Sequence, residues 1–349
     1  MDEIKNTNES NLKVISIGTD RTLFDKNSQA RARIAEYGLL VGEMHIVVFT
    51  LKNLGLVVEK IAENVWIYPT NSRTRFGYMK DAKKLGREII VDKKFVRGQS
   101  LITSQDPFET GRVGLFLKKK FRLPLQTQIH TDFGSPYFKK VSFLNRLRVF
   151  MSGKIIRNSD SFRVVSNKIK NTLVDKYHTD SSKISVLPIF VSIKENTTSQ
   201  IERTVLRKKY PQFNTVILTV SRLAKEKNIS FTIKVFFEVF KTYKDIGLII
   251  VGDGVLKRDL ENQVKRLGLS DNVIFLGWQN DISEYYKMAD IFINTSYFEG
   301  FGMTLLEAGS FGCPVLTTDV GIASDLYIGA EQSFVCPIGG KKIFVEKMI

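Results

Sequence analysis

Short apolar runs alternate with amphipathic stretches along the first half of the chain. The apolar runs predict strands at 13–18, 45–50, 65–68, 100–103, 125–130, 161–166 and 184–187. Amphipathic patterns predict helices at 28–37, 80–90 and 143–156. Short apolar runs separated by helices are typical of a parallel sheet with helices on both faces.

The alternation stops after Pro188 and starts again in the second half. Residues 192–199 are polar and lack periodicity, which indicates a linker. Strands are then predicted at 216–220, 247–251, 273–276, 291–294 and 314–317, and helices at 229–243, 256–267, 282–288 and 304–311. We therefore predict two doubly wound α/β domains, residues 1–190 and 191–349, which bind ligands beyond the carboxyl ends of their strands.

Positive charge is concentrated in the first half of the chain. The net charge is +16, and basic residues are densest between Arg73 and Lys170. A one-sided field of this kind attracts polyanions or anionic lipid. Segments 116–122 and 143–150 also mix apolar and cationic side chains as interfacial helices do. The alternatives are solvated helices and a charge that serves solubility alone.

Cysteine and histidine usage narrows the class of protein. The two cysteines, Cys313 and Cys336, exclude a disulfide framework and fit a reducing cytosol. The three histidines, His45, His130 and His178, are scattered and do not indicate a metal site. No run reaches the ~18 apolar residues of a membrane span. We expect a cytoplasmic protein without a metal ion.

Three polar loops follow predicted strands in the second half. Arg222 and Lys227 are two cations able to clamp a diphosphate, although the loop taken alone is explained more simply by two surface charges. Gly252 lets the backbone approach a ligand or only allows a turn. The dinucleotide fingerprint is not met, because Lys257 stands where a third glycine is required. Trp278 either borders a nucleobase or belongs to the core.

The most informative segment leads from a strand end into a helix. It places two glycines around an aromatic residue and continues into the first amides of the helix: Gly300, Phe301, Gly302, Met303, Thr304 and Leu305. Backbone N–H groups at a helix start hold phosphate, and the helix dipole assists. Glu299 in the loop is placed to meet hydroxyls, and Glu307 on the helix is placed to accept from a vicinal diol. A helix start that merely favours acidic neighbours does not account for the two glycines.

These motifs together resemble those of the family-4 retaining glycosyltransferases of GT-B fold. The resemblance covers about residues 185–325 and keeps the family's order and spacing in Ser221-Arg-Leu-x-x-Glu-Lys227, Val251-Gly-Asp-Gly254, Asn272-Val-Ile-Phe-Leu-Gly277, Ala289-Asp-Ile-Phe-Ile293, Glu299-Gly-Phe-Gly302 to Glu307-Ala308, and Gly312-Cys-Pro-Val315. It implies that each doubly wound domain is one half of a GT-B enzyme, with the two facing each other across a cleft.

The resemblance also implies roles for the site residues. Arg222 and Lys227 would meet the donor diphosphate. The amides from Gly302 to Leu305 would meet the phosphates, and Gly252 would belong to the donor-binding residues. Glu299 would meet the donor sugar, and Glu307 the ribose.

The first half and the C-terminus match the family less closely. Ile129-His-Thr-Asp132 resembles the strand end whose histidine faces the donor sugar, so His130 is expected either to act there or to be only a packed group. The family's glycine-rich first loop is replaced by Gly18-Thr-Asp-Arg-Thr-Leu-Phe24, and its late Gly-Gly-x-x-Glu by Gly321-Ile-Ala-Ser-Asp325. We expect the closing C-terminal helices to be short or absent.

The expected reaction is retaining transfer of a sugar from a nucleoside-diphosphate sugar to a glycan or lipid-linked acceptor, in cell-surface polysaccharide or glycolipid synthesis. No cofactor and no nucleic-acid partner are expected, and the basic half suggests peripheral contact with the inner face of the plasma membrane. The alternatives are another GT-B enzyme such as a sugar-nucleotide epimerase, and a non-catalytic protein that binds nucleotide sugars or nucleic acid. Dependence on an acceptor separates transfer from epimerisation.

Overall fold

The computed structural model describes residues 11–189 and 206–349, so the predicted linker at 192–199 lies outside the described residues. The chain divides into two compact units. The first comprises Met1–His130, Arg146–Val164 and Lys170–Leu187, and the second Thr131–Asn145, Val165–Ile169 and Pro188–Ile349. Two internal segments of the predicted first domain, and its end from Pro188 onward, therefore belong to the second unit.

The first unit is built on an eight-stranded sheet. Its strands are β1 (Lys13–Gly18), β2 (Glu43–Val48), β3 (Glu59–Ala62), β4 (Val65–Pro69), β5 (Ser100–Ser104), β6 (Leu125–Ile129), β7 (Ser161–Val164) and β8 (Ile184–Val186). They follow the order β3-β4-β2-β1-β5-β6-β7-β8. Every neighbouring pair is parallel except β3 with β4.

The prediction of a wholly parallel sheet was wrong at this edge. The β3 sequence, Glu59-Lys-Ile-Ala62, is half charged and carries no apolar run, so its pattern gives no signal of a strand. It pairs with β4 through a tight connection at Asn64. The side-chain amide of Asn64 donates to the carbonyls of Gly38 and Val41 at 2.8 and 2.7 Å, which fixes the hairpin against the chain that follows the first helix.

Helices cover the first sheet. The helical elements in this part of the chain are α1 (Gln29–Gly38), α2 (Tyr78–Asp92), α3 (Glu109–Phe121), α4 (Phe138–Val141), α5 (Phe143–Asn158) and α6 (Asn167–Tyr177). Of these, α4 and the first three residues of both α5 and α6 belong to the second unit. The hydroxyl of Ser28 accepts from the amide of Ala30 and caps the start of α1. The core under α2 and α3 includes Ile15, Ile102 and Leu125 from three adjacent strands.

The second unit contains a six-stranded sheet that is parallel throughout. Its strands are β9 (Thr215–Val220), β10 (Ile246–Val251), β11 (Val273–Gly277), β12 (Ile291–Asn294), β13 (Val315–Thr318) and β14 (Phe334–Cys336), in the order β11-β10-β9-β12-β13-β14. Every residue of β10 is buried, as expected for an inner parallel strand with both faces covered.

The helices of the second unit pack on both faces of this sheet. They are α7 (Ile229–Phe240), α8 (Lys257–Arg266), α9 (Ser283–Met288), α10 (Met303–Ser310), α11 (Ala323–Tyr327) and α12 (Lys341–Met348). One core cluster contains Ile233 and Phe236 of α7, and another contains Tyr286 of α9 and Leu305 of α10. These two layers leave the loops at the carboxyl ends of the strands as the open edge of the unit.

Candidate active site

The strand order of the second sheet reverses between β9 and β12. The chain continues from β9 to β10 and β11 on one side, and from β12 to β13 and β14 on the other. The loops at this point diverge and open a crevice, which is where doubly wound sheets bind ligands. The loop after β9 carries Arg222 and Lys227, and the loop after β12 carries Glu299. Two predicted motifs thus lie at one point of the sheet edge.

Lys227 and Glu299 meet directly at this crevice. The Nζ atom of Lys227 lies 2.5 Å from Oε1 of Glu299, and the two side chains are only 17% and 13% exposed. The hydroxyl of Ser296 donates to the same carboxylate oxygen at 2.8 Å. An anion that binds Lys227 therefore has to compete with a carboxylate that is already in place.

The two loops are also joined through their backbones. The buried hydroxyl of Thr295 donates to the carbonyl of Asn228 at 3.1 Å. The N–H of Tyr297 donates to the carbonyl of Glu226 at 2.8 Å. Because each bond links the β9 loop to the β12 loop, the positions of the lysine and of the glutamate depend on each other.

Arg222 differs from Lys227 in its surroundings. Its side chain is 72% exposed and pairs with Glu226, four residues later, at 2.8 Å. Glu226 is itself largely covered, so it is the fixed partner of the pair. The long, exposed guanidinium can swing toward an anion, and its planar fork suits a phosphate.

The start of α10 depends on two glycines. Gly302 precedes the helix with a φ of 92°, a conformation that strains any residue with a side chain. Gly321 has a φ of 56°, and a Cβ atom there would lie 2.1 Å from the carbonyl oxygen of Phe301. The same carbonyl accepts from the amide of Ile322 at 2.9 Å. The turn at Gly321 therefore packs against the β12 loop, which carries Glu299, and supports it.

The predicted residues at this helix start divide into exposed and buried sets. Met303 is exposed and Gly300 and Thr304 are half-buried, whereas the side chains of Phe301 and Leu305 are buried. The Leu305 amide donates to the carbonyl of Gly302 at 2.9 Å, so it is already paired. The first amides of an α-helix have no acceptor within the helix, and here those belong to Met303 and Thr304.

Glu307 lies one turn further along α10. The hydroxyl of Tyr286 donates to its Oε2 at 2.9 Å. Burial raises the pKa of Glu307, and the hydrogen bond from Tyr286 offsets part of that effect. Burial, together with the nearby charge of Glu307, raises the pKa of Tyr286 well above 10. The tyrosine is therefore a permanent donor that holds a partly desolvated carboxylate.

Gly252 has a structural role at the same edge. Its φ is 126°, and a Cβ atom would lie 1.9 Å from the carbonyl oxygen of Ser221. Its amide donates to the carbonyl of Gly277 at 2.7 Å. The glycine is required because the loops after β9, β10 and β11 pack backbone to backbone. A contact between Gly252 and a ligand stays a prediction.

His130 follows the last residue of β6 in the first unit. Its Nε2 atom lies 3.1 Å from Oε1 of Gln128. The ring is open to solvent, yet protein atoms crowd it on its other sides. The loss of water around the ring is the main reason that the pKa of His130 is lowered, to about 4, and the positive charges of Arg163 and Arg33 lower it further. The imidazole is therefore neutral at physiological pH.

Other expectations concern Trp278, metals and membrane spans. Trp278 is 73% exposed, so it is not a core residue. No group of three or more His, Cys, Asp or Glu side chains within residues 11–189 and 206–349 has the arrangement of a metal site. Among the helices of these same residues, none has the length and apolarity needed to cross a bilayer.

Sequence reasoning missed several residues that position the site. Ser296, Glu226 and Gly321 lie in or beside the motifs, and their proximity to Glu299, Arg222 and the helix start is the signal that could have identified them. Tyr286 is different, because 21 residues separate it from Glu307 and no local pattern connects them.

Each half of the chain matches a model of a known protein family. The family model "Glycosyl transferases group 1" matches residues 202–349, and the model "Glycosyltransferase Family 4" matches residues 43–195. A UDP-Gal:alpha-D-GlcNAc-diphosphoundecaprenol alpha-1,3-galactosyltransferase from Escherichia coli is 25% identical over 91% of this chain and 83% of its own length.

Two further similarities concern a second relative and a solved structure. An alpha-monoglucosyldiacylglycerol synthase from Streptococcus pneumoniae is 27% identical over 62% of this chain; the chain spans only about half, 51%, of that relative's length. The crystal structure of Anabaena Alr3699/HepE in complex with UDP superposes with a TM-score of 0.70 at 20% identity, over 97% of this chain and 90% of that one. This structural similarity confirms the GT-B fold.

Proposed function

We propose, on the premise that this chain belongs to the family-4 glycosyltransferases of GT-B fold, that it transfers a sugar from a nucleoside-diphosphate sugar to an acceptor hydroxyl with retention at the anomeric carbon. The observation that carries the proposal is the contact of Lys227 with Glu299 at the switch point of the second sheet, with Glu307 on the helix that follows.

The donor diphosphate is assigned to the cations and to the start of α10. Departure of a nucleoside diphosphate leaves negative charge on the β-phosphate, and stabilising that charge is the largest task of such a site. Lys227 supplies a fixed charge and Arg222 a mobile one. The amides of Met303 and Thr304 supply donors that need no reorganisation.

Glu307 is assigned to the ribose of the donor. A carboxylate accepts both hydroxyls of a vicinal diol, and charge-assisted bonds of this kind are stronger than neutral ones. Burial raises the pKa of Glu307, so its ionised form is under-solvated before a ligand arrives. Two hydroxyl donors would supply the missing solvation, which supports a binding role.

Glu299 and His130 are assigned to the transferred sugar. Glu299 is held by Lys227 and Ser296, so its free lone pairs have a defined direction. His130 is a neutral imidazole whose Nε2 is hydrogen-bonded to Gln128. A neutral ring can donate or accept a hydrogen bond without repelling an oxocarbenium-like transition state, whereas a protonated ring would repel it.

Charge neutralisation by protein groups supports a metal-independent reaction. Arg222, Lys227 and the positive end of α10 together provide the compensation that a divalent cation supplies elsewhere. Activity that persists in excess chelator is the expected result. Loss of activity in chelator that returns with one divalent cation would refute this part of the proposal.

A lipid-linked acceptor is supported by a cationic groove in the first unit. The groove runs between α3 and α5 and has a volume of about 520 Å³. Four of its lining side chains are cationic: Arg112, Lys119, Lys154 and Arg157. Apolar side chains lie among them, and Phe150 is 85% exposed. Cations around exposed apolar groups suit an anionic lipid surface, so we place the enzyme in the cytoplasm, peripheral on the membrane.

Vesicle flotation tests this membrane contact. The variant Lys119→Glu with Lys154→Glu reverses two charges in the groove. The control, Lys265→Glu with Arg266→Glu, makes the same change on exposed residues of α8. Each cation near an anionic surface contributes roughly 1 kcal/mol, so the groove variant should lose at least about tenfold in binding to vesicles that contain phosphatidylglycerol. Equal losses in both variants would show a non-specific charge effect.

The donor assignment is tested by calorimetry after a thermal-shift screen of UDP-, GDP- and ADP-sugars. A ligand that binds only the folded protein raises the melting temperature, which identifies the base. Glu307→Gln should then weaken binding of the correct donor by about tenfold to a hundredfold. Glu331→Gln, the same change at an exposed position of the second unit, should leave it unaltered. Unchanged affinity in Glu307→Gln would contradict the ribose assignment.

Product analysis separates transfer from the alternatives. Glycosylated acceptor formed only when both substrates are present supports the proposal. A converted sugar nucleotide formed from donor alone would identify an epimerase. Salt-sensitive nucleic-acid binding without donor affinity would identify a binding protein instead.

A further inference from the structure

A second cavity in the second unit lies beside the two donor loops. Its volume is about 500 Å³, which is in the range of small-molecule sites. It is lined by parts of α4, the turn before α7, the chain before α8 and the β12 loop. Among the described residues, its lining includes none of Arg222, Lys227, Glu299 or Glu307. It is therefore distinct from the proposed donor site, although it borders the same two loops.

One aromatic pair lines this cavity, and a second pair beside it supports the same wall. The rings of Tyr137 and Tyr297 stack with their centroids 4.8 Å apart and an angle of 12°. Phe138 packs edge-on against Phe298 at 5.4 Å. These two pairs fasten the segment Thr131–Asn145 to the β12 loop, so the wall is formed before any ligand binds. A preformed wall lowers the entropy lost on binding.

The remaining lining combines aliphatic residues with two lysines. Val141, Ile229 and Leu256 add aliphatic surface to the two tyrosines. Lys140 and Lys225 supply positive charge, and the Nζ atom of Lys140 lies 5.1 Å from the ring centroid of Tyr137.

The charged residues that line the cavity are both cationic. Asn228 and Ser230 are neutral, and no described residue of the lining carries a carboxylate. The cavity thus combines an apolar volume with an uncompensated positive charge, a combination that selects for ligands with an apolar body and an anionic group.

We propose that this cavity binds a small anionic amphiphile, with its apolar part against Tyr137, Val141 and Leu256 and its anionic group between Lys140 and Lys225. Such a ligand would sit against the outer side of the turn that carries Lys227 and against Tyr297, two residues before Glu299. The proposal concerns a site separate from the donor site, and it stands whether or not the chain transfers sugar.

Octyl phosphate, used below its micelle concentration, is the probe for calorimetry with the full chain. Octanol has the apolar part without the charge, inorganic phosphate has the charge without the apolar part, and octyltrimethylammonium has the opposite charge. Octyl phosphate should bind at least about tenfold more tightly than each of the three. Equal binding of octanol, or of inorganic phosphate alone, would overturn the proposed ligand class. Failure of octyl phosphate to bind would overturn the site.

Two variants locate the bound probe. Val141→Trp fills the cavity and should abolish binding. Lys140→Glu changes an exposed charge, keeps the fold, and should weaken binding by about tenfold. Lys139→Glu is the matched control at the neighbouring position, which does not line the cavity, and should bind as the unmodified chain does. Equal losses in Lys140→Glu and Lys139→Glu, or undiminished binding in both Lys140→Glu and Val141→Trp, would overturn the assignment.

Hydrogen exchange provides a readout that needs no variant. Octyl phosphate should slow amide exchange in the peptides that contain 137–141 and 225–230. Protection confined to the groove between α3 and α5 would show that the amphiphile binds in the first unit and would overturn the proposal. Because no nucleotide sugar is present in these experiments, their result is independent of the donor assignment.

Discussion

The ion pair between Lys227 and Glu299 allows a quantitative test of how the site is built. At 2.5 Å and an effective dielectric constant of about 20, the attraction is roughly 5–7 kcal/mol before desolvation. Desolvation of two mostly buried groups offsets much of this. Lys227→Met leaves a carboxylate whose remaining donor is Ser296, and Glu299→Gln leaves an ammonium beside a neutral amide. Each single variant should lose about 2–3 kcal/mol of unfolding free energy.

The double variant, Lys227→Met with Glu299→Gln, separates the energy of the ion pair from the energy that each side chain shares with its other neighbours. When both charges are removed, no lone charge is left in a poorly solvated position, so the loss should fall to about 1 kcal/mol or less. The resulting coupling energy, the sum of the two single losses minus the double loss, is about 3 kcal/mol or more and can be measured by urea unfolding followed by circular dichroism.

A second pair on the same unit is the control. Lys209 and Glu284 are 2.6 Å apart but 56% and 52% exposed, so their coupling energy should stay below about 1 kcal/mol and decrease with added salt. Equal coupling energies for the two pairs would refute the argument from burial. A coupling energy near zero for Lys227 and Glu299 would show that the carboxylate and the lysine do not depend on each other.

Three further outcomes follow from individual positions. Gly252→Ala should destabilise the protein by about 3 kcal/mol or more, because its Cβ would overlap the carbonyl of Ser221. Gly268 also has a positive φ, 67° against 126° for Gly252, but lies in open space, so Gly268→Ala should lose only about 1 kcal/mol in urea unfolding. Similar losses in the two variants would contradict the close approach at Gly252. Burial raises the pKa of Asp106 to about 6, so the folded state holds the proton more tightly than the unfolded state. Stability should therefore rise by about 1 kcal/mol from pH 7 to pH 5 relative to Asp106→Asn, and parallel curves would contradict the shift. The lowered pKa of His130 predicts an NMR titration midpoint near 4, with stability decreasing as pH falls from about 6.5 through 4; a midpoint near 6.5 would show a fully solvated ring.

The apolar runs were sufficient to predict five of the six strands of the second sheet. The run at 291–294 coincides with β12, and the others differ by one or two residues at their ends, because buried parallel strands are apolar throughout. The same criterion failed for β3 and β14. Both are short edge strands in which one residue is buried at most, so their sequence carries little of the signal.

The candidate site residues could be identified from the sequence where they lie close together along the chain. Glu299, Gly302 and Glu307 lie within one loop and the helix that follows, so their spacing alone indicates a phosphate and diol site. The partner of Glu307 was not predictable, because Tyr286 reaches it through the packing of α9 against α10. The pairing of Lys227 with Glu299 required the strand order, which no local motif contains.

The hydrogen bond from Thr295 to the carbonyl of Asn228 has a consequence for protein engineering. To change the donor proposed above, a designer could graft the β12 loop of another protein, with its own glutamate, alone. Here that graft would remove the tie to the β9 loop and displace Lys227 as well. The two loops should therefore be exchanged together, because only such chimeras keep the contacts that position Lys227 and Glu299 relative to each other.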